Sequence, residues 1–140
     1  MFSETYYQAK INNQTETIKK TAELYLFYCE KLFEFYENFS LNLFGRQIKQ
    51  ILMLHYNDLN IDCLTSICNI LKKRGYSFIN LEEALLEPVY QLKDNYIGAD
   101  GLTWLHRCNF NLKGYEKFRY DYYENNKISV SIKAELSAMQ

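Results

Sequence analysis

The apolar positions of this chain change their period along its length, and each change marks an element. From Thr15 onward, Leu24, Phe27, Tyr28, Lys31, Leu32, Phe35 and Phe39 recur at steps of three and four residues. That is the spacing of one helix face. Lys31 is the polar member of the stripe, and its aliphatic stem can lie along the apolar face with the ammonium in water. Lys19, Lys20, Glu23, Glu30, Glu34 and Glu37 fill the opposite face. The pattern predicts a long N-terminal helix from Thr15 that breaks off over residues 40–45. Residues 1–14 are polar and aromatic, without a strong period.

The next segment, Ile48-Lys49-Gln50-Ile51-Leu52-Met53-Leu54, ends in four consecutive apolar residues. A strand buried on both faces, as in a parallel sheet, reads this way. It gives way to the polar loop His55-Tyr56-Asn57-Asp58. Asn60 is a candidate N-cap for a second helix, with Asp62 in its first turn. Leu64, Ile67, Cys68 and Leu71 form the apolar face of that helix. Lys72, Lys73 and Arg74 sit in its last turn, and Gly75 suits the position just past its end. Tyr76–Ile79 alternates like a short strand. Asn80 and Glu83 make a capping-box pair for a short helix over 81–86, which Pro88 stops. Residues 46–86 thus predict strand, helix, strand, helix: a βαβα unit of the α/β class, with a right-handed crossover. Gly98, Asp100 and Gly101 mark a loop before Trp104. Past Lys113 the chain becomes tyrosine-rich and charged. A first domain over 1–113 and a weakly ordered extension over 114–140, with a strand at Ile128–Ile132, are expected.

Composition narrows the function classes. The chain has 140 residues, one domain's worth, where a complete barrel enzyme needs roughly 200 to 250. Its 48% apolar content excludes wholesale disorder, and one Pro with five Gly favours helix. Sixteen basic residues against seventeen acidic leave a net charge of −1. That balance offers no electrostatic case for nucleic acid or for an anionic membrane. No apolar run approaches the ~18 residues of a membrane span. The segment Met1-Phe2-Ser3-Glu4-Thr5 lacks the basic and apolar regions of a signal peptide, so a cytoplasmic location is expected. Cys29, Cys63, Cys68 and Cys108 contain no CxxC pair, and with two histidines they predict buried free thiols in place of a zinc cluster.

Candidate chemistry centres on His55. A histidine at the carboxyl end of a buried strand stands where α/β enzymes build their sites, and it can act as general acid or base near neutral pH. A hydrogen-bonded loop histidine has the same local sequence. Asn57, Asp58, Asn60 and Asp62 can bind a metal or a sugar hydroxyl, or can serve as loop and cap residues. Trp104, His106 and Arg107 can hold a ligand by stacking and charge, or can pack one element on another. Tyr115, Tyr120, Tyr122 and Tyr123 offer either a carbohydrate-stacking surface or a half-buried face. A Gly-rich phosphate loop, a GxSxG elbow, an HExxH helix and a paired-carboxylate signature are all missing.

The string from Gly45 through Asn60, GRQIKQILMLHYNDLN, resembles the last motif block of the polysaccharide deacetylases, the NodB-homology carbohydrate esterases. The likeness continues through residues 71–79, Leu81-Glu82-Glu83-Ala84-Leu85, Pro88-Val89-Tyr90, Tyr96-Ile97-Gly98, Gly101 and Trp104-Leu105-His106-Arg107. Tyr25, Tyr28 and Phe35-Tyr36-Glu37 resemble the helix before that block, so the likeness covers about residues 5–110. It implies a distorted (β/α)7 barrel that removes N-acetyl groups from amino-sugar polymers with a divalent metal such as zinc. The family's metal set is Asp-His-His beside an Asp base, drawn from an Asp-Asp pair and a His-x-x-x-His motif. Neither motif occurs here, so no metal ligand and no cofactor carry over. What carries over is the general acid, which maps onto His55, and Leu54 as a wall of the acetyl pocket. Trp104 is the further substrate-binding candidate.

The resemblance thus implies the C-terminal half of such an enzyme, a partial barrel fragment that is inactive alone. It also implies a partner: a separate N-terminal half, self-association, or the sugar polymer itself. Family members commonly work outside the cytoplasm. The alternative is a non-catalytic carbohydrate- or protein-binding remnant.

Overall fold

A computed structural model of the chain describes residues 2–94, 96–98 and 102–113, with Ala134 and Ser137. Helix α1 spans Phe2–Ile11, α2 Thr15–Phe44, α3 Asp58–Lys73, α4 Leu81–Leu85 and α5 Trp104–Lys113, with a 3₁₀ turn at Pro88–Gln91 before α5. Among the described residues there is no strand. No described helix is long and apolar enough to cross a membrane. Asp100, Gly101, the strand expected at Ile128–Ile132 and Tyr115, Tyr120, Tyr122 and Tyr123 lie outside the described residues, as does the extension apart from Ala134 and Ser137.

The described residues divide into two units. The first takes residues 2–33 and 52–78, and the second takes 34–51 and those from 79 to 113. Helix α2 contributes to both. Its N-terminal part supplies Ile18, Ala22, Tyr25, Leu26, Cys29 and Phe33 to the first core, where they meet Tyr6 of α1 and Leu59, Cys63, Ile67 and Leu71 of α3. The C-terminal part supplies Phe35, Tyr36, Phe39 and Leu43 to the second core, with Ile48, Val89, Trp104, Leu105 and Cys108. Both sets keep three- and four-residue spacing. In the first unit the buried face is rotated from the predicted one, for Phe27 is 48% exposed and Lys31 lays its ammonium 5.7 Å from that ring's centroid. The helix also runs past Ser40 to Phe44. Ser40 is buried, its hydroxyl donates to the Arg46 carbonyl at 2.9 Å, and Gly45 takes φ +71 at the helix end.

Helix α1 was hidden from the period because its contact rests on few apolar positions, Phe2, Tyr6 and Ala9, beside the polar Thr5. Thr5, Tyr6 and Ala9 are its buried positions. Tyr6 Oη donates to Asp62 Oδ2 at 3.0 Å, and Lys10 Nζ reaches Asp62 at 3.0 Å and Asp58 at 3.3 Å.

Helix α3 starts earlier than expected. Its N-cap is Asn57, whose Oδ1 accepts from the Asn60 N–H at 2.9 Å, and its buried face is Leu59, Cys63, Ile67 and Leu71, with Leu64 48% exposed. Its far end matches the sequence. Gly75 takes φ +90, its N–H donates to the Lys72 carbonyl at 3.0 Å, and the Tyr76 N–H donates to the Leu71 carbonyl at 3.0 Å. These two bonds make a Schellman closure, with Tyr76 packed on the core beside Leu71.

The α/β reading, with its βαβα unit and partial barrel fragment, is overturned, because neither Ile51–Leu54 nor Tyr76–Ile79 is a strand. A strand needs a ladder partner, and side chains take that place here. In the second unit the Lys49 N–H donates to Glu87 Oε2 at 3.4 Å and Tyr90 Oη donates to the Lys49 carbonyl at 2.8 Å. In the first, Asn60 Nδ2 donates to the His55 carbonyl at 2.7 Å. Tyr76 serves the helix closure, and Phe78 and Ile79 are exposed. The period-2 pattern there was the trace of a C-cap contact.

Glu87 is the buried member of an ion pair in the second unit, with Arg46 Nη2 at 2.5 Å. The guanidinium hydrogen bond holds this carboxyl below its ordinary range, and the Lys49 N–H assists against the opposing effect of burial. A depressed folded value means that the stabilisation is present above the unfolded value of about 4.5 and is lost as pH falls through the folded value. Glu87→Gln is therefore expected to lower stability at pH 7 and to flatten the acid limb of a denaturation series between pH 7 and pH 3. The register of α3 has its own check in urea unfolding. Ile67→Ala, at a fully buried position, is expected to cost about 2–5 kcal/mol. Leu64→Ala is expected to cost less than about 1 kcal/mol.

Candidate functional site

His55 lies in the first unit, at the end of an irregular apolar segment and two residues before the α3 N-cap. Its side chain is exposed and makes no hydrogen bond among the described residues. Its backbone, by contrast, is tightly fixed. The Asn60 side-chain amide donates from Nδ2 to the His55 carbonyl and accepts at Oδ1 from Tyr25 Oη of α2, while the Asn60 backbone N–H donates to Asn57 Oδ1. Asn60 thereby ties helix α2, the start of α3 and the His55 backbone together. The sequence offered Asn60 as an N-cap and, with Asn57, Asp58 and Asp62, as a candidate for a metal or a sugar hydroxyl. The cap belongs to Asn57, three residues earlier, where the Asx side chain can reach the N–H of the first helical turn.

The neighbouring carboxylates are already engaged. Asp58 and Asp62 both bind Lys10, and the Lys10 hydrogen bond, followed by that from Tyr6, holds the Asp62 carboxyl below its usual value. They clamp α1 to α3. No group of three His, Cys, Asp or Glu side chains among the described residues is placed to hold a metal. The described residues therefore offer no ligand set for the divalent metal that the sequence resemblance implies.

Leu54 belongs to the same unit as His55 and is half-buried against the first core. Trp104 belongs to the second unit, where its indole N–H donates to the Val89 carbonyl at 2.7 Å and its ring packs on that unit's core. The other two members of the Trp104–Arg107 cluster also pack. His106 is 1% exposed among Phe35, Tyr36 and Phe39, with Nδ1 sharing a 2.7 Å hydrogen bond with the Thr103 hydroxyl. Arg107 pairs with Asp94 at 2.5 Å and lies 5.8 Å from the Tyr96 ring centroid.

Burial disfavours the thiolate at Cys29, Cys63 and Cys108. Cys29, Cys63 and Cys108 are buried and Cys68 is partly buried, all as free cysteines. Burial pushes the Cys29 and Cys108 thiols up to about 11, so both are protonated at neutral pH. A depression along Lys20, Glu23, Leu24 and Phe27 lies between side chains of one helix and gathers no convergent chemistry.

The residue after His55 carried no signal in the motif reading, yet it stands out in the structure. Tyr56 is 94% exposed. A bulky aromatic between a candidate acid and a helix cap was visible in the sequence, but its accessibility was not. Compared with protein-family models, curated proteins and solved structures, the chain matches none.

The hub role of Asn60 predicts a separation between fold and site. Asn60→Ala strands the Tyr25 hydroxyl and the His55 carbonyl and is expected to lower stability by about 1–3 kcal/mol. His55→Ala removes an exposed ring and is expected to stay within about 0.5 kcal/mol of wild type. Thermal melts of the two variants check both values.

Proposed function

We propose that this chain supplies the proton-donating histidine, His55, of a polysaccharide-deacetylase-like site acting on N-acetylated amino-sugar polymers. The remaining groups of that site come from a separate polypeptide, and the chain is inactive by itself. One observation carries the reading. Ile51, Leu52 and Met53 are consecutive and exposed, at 44%, 45% and 79%, and they lead to the exposed His55. Three exposed apolar residues in a row are a fault in a protein surface unless they are used. Covering them with a partner recovers about 1.5–3 kcal/mol for each fully buried side chain. A partner seated on residues 51–53 ends within two residues of the imidazole.

The chemistry fits an imidazole at that place. Cleaving an acetamide releases acetate and an amine, and the amine nitrogen must gain a proton as its bond to the carbonyl carbon breaks. A positioned histidine delivers such protons. His55 alone neither polarises the carbonyl nor activates the attacking water, which is why the isolated chain is expected to be idle. A second reading, a non-catalytic interaction module, draws on the same exposed run. The engagement of Asp58 and Asp62 by Lys10 favours it.

Two assays separate the readings. The purified chain, given N-acetylated chitooligosaccharides with zinc, manganese or cobalt, is expected to release no acetate. Joined to the metal-bearing half of a polysaccharide deacetylase, it is expected to release acetate, and His55→Ala is expected to cut that rate by about 10²-fold or more. Release by the lone chain overturns the proposal. So does a joined protein that binds its metal but is either inactive or indifferent to His55→Ala.

A further inference from the structure

We infer that the outward face of helix α3 pairs with the same face of a second copy of this chain, the two helices running antiparallel. The inference goes beyond the proposed function and does not depend on His55. Its first support is a second apolar stripe on α3. The inward stripe, Leu59, Cys63, Ile67 and Leu71, is used by the first core. Ile61, Leu64 and Cys68 form another at steps of three and four residues, the spacing of a helix-pairing seam. Ile61 is 51% and Leu64 48% exposed, and Cys68 is a partly buried free thiol. A helix that covers a single core carries one apolar stripe and a polar opposite face. The second stripe therefore has no use within the described unit. Tyr7 and Ile11 of α1, the helix bonded to α3 through Tyr6 and Lys10, are exposed as well and add apolar surface to the same unit.

The second support is charge, which selects both the occupant and its direction. Asp58, Thr65 and Lys72 are spaced by seven residues and so share one flank of the seam. The N-terminal end of α3 carries Asp58 and Asp62 against the single ammonium of Lys10, a balance of one negative charge, with both carboxylates partly in solvent. The C-terminal end carries Lys72 and Lys73, exposed and without an ion pair among the described residues, while Arg74 is engaged with Glu30 at 3.9 Å. A two-fold axis beside Thr65 sets Asp58 of one copy against the partner's Lys72 and repeats the contact at the other end. The same axis interleaves the Ile61, Leu64 and Cys68 side chains of the two copies. A parallel pair would set Asp58 on Asp58 and Lys72 on Lys72, like charges together. The antiparallel pair also opposes the two helix dipoles. A face with a surplus of one sign would call for a foreign partner. This face holds both signs, in an order that its own reversal complements, and such an isologous contact closes at two copies. The seam is short, about 11 Å from Ile61 to Cys68 at 1.5 Å per residue, which places the pairing among weak interfaces.

The test is sedimentation velocity of the intact chain over a concentration series, which is expected to show a monomer–dimer equilibrium with a dissociation constant on the order of 10–100 μM. Carbodiimide coupling at the upper concentrations, on an equal mixture of ordinary and isotope-labelled chains, is expected to join the Asp58 carboxylate to the Lys72 amine between copies. Within one copy these residues lie 14 apart on α3, about 21 Å along its axis, too far for a zero-length link. Leu64→Glu is expected to raise the dissociation constant about tenfold or more and to remove the link. Lys72→Glu is expected to raise it about threefold to tenfold, by an amount that shrinks as salt screens the new repulsion. Both positions are exposed, so both variants should melt with the wild type in dilute solution. If Leu64→Glu melts early, Lys72→Glu and its salt dependence carry the test. A chain that stays monomeric to about 300 μM overturns the inference and leaves the face to a different partner. So does a dimer that neither variant weakens, or one whose links between copies join other residues, because each marks a different surface.

Discussion

One helix must serve two apolar cores, and this constraint organises the described structure. Helix α2 runs unbroken for 30 residues. It gives Tyr25, Cys29 and Phe33 to one cluster and Phe35, Phe39 and Leu43 to the other. Each residue added to a helix turns the face by about 100°, so each stripe is locked to its own register along the helix. Shifting either stripe by one position along α2 would turn its core residues toward water. The locking reaches beyond the apolar groups. Tyr25 extends from the first stripe to Asn60, and Ser40, buried beside the second, holds the Arg46 carbonyl where the chain leaves the helix.

Punctuation in this fold was legible, and pairing was not. Asn80 caps α4 through Glu83 N–H at 2.7 Å, as its spacing announced, although the Glu83 carboxylate turns to Lys49 at 3.3 Å. Gly75 closes α3 in the left-handed conformation that glycine adopts most readily. Such signals are local, because a cap or a closure is decided within a few residues. The faces of α2 and α3 were harder. On α3, Leu64 and Ile67 are both apolar, and only the position of α1 and α2 buries one and leaves the other in water. Helix α1 was missed because two of its three buried positions, Thr5 and Ala9, add little apolar bulk to the pattern beside Tyr6.

The failure at residues 51–54 has a different origin. A continuous apolar run signals a doubly buried strand only if neighbouring strands exist, and the run says nothing of neighbours. Here Glu87, Tyr90 and Asn60 side chains bind the flanking main-chain groups, and the apolar side chains stay in solvent. His55 was found by motif position and by residue type. Its support through Asn60 and Tyr25 was not, because that link joins residues 35 apart in the chain. The buried cage of His106 was equally invisible, since a lone histidine near a tryptophan has the same sequence whether it packs or binds.

Around His55 the backbone and the side chains contrast. Backbone order costs roughly 1–2 kcal/mol for each fixed residue, and here that order is enforced by Asn57, Asn60 and Tyr25 acting together. The Asn57 cap would serve any loop that joins two helices, but in such a loop the apolar members would turn inward as Leu54 does. Instead Met53, His55 and Tyr56 remain in water on a fixed main chain. Folding recovers nothing from those three side chains. Under the proposed function, a partner that covered the exposed apolar residues 51–53 would recover that burial, and it would meet a main chain whose ordering cost at residues 55–57 is already met.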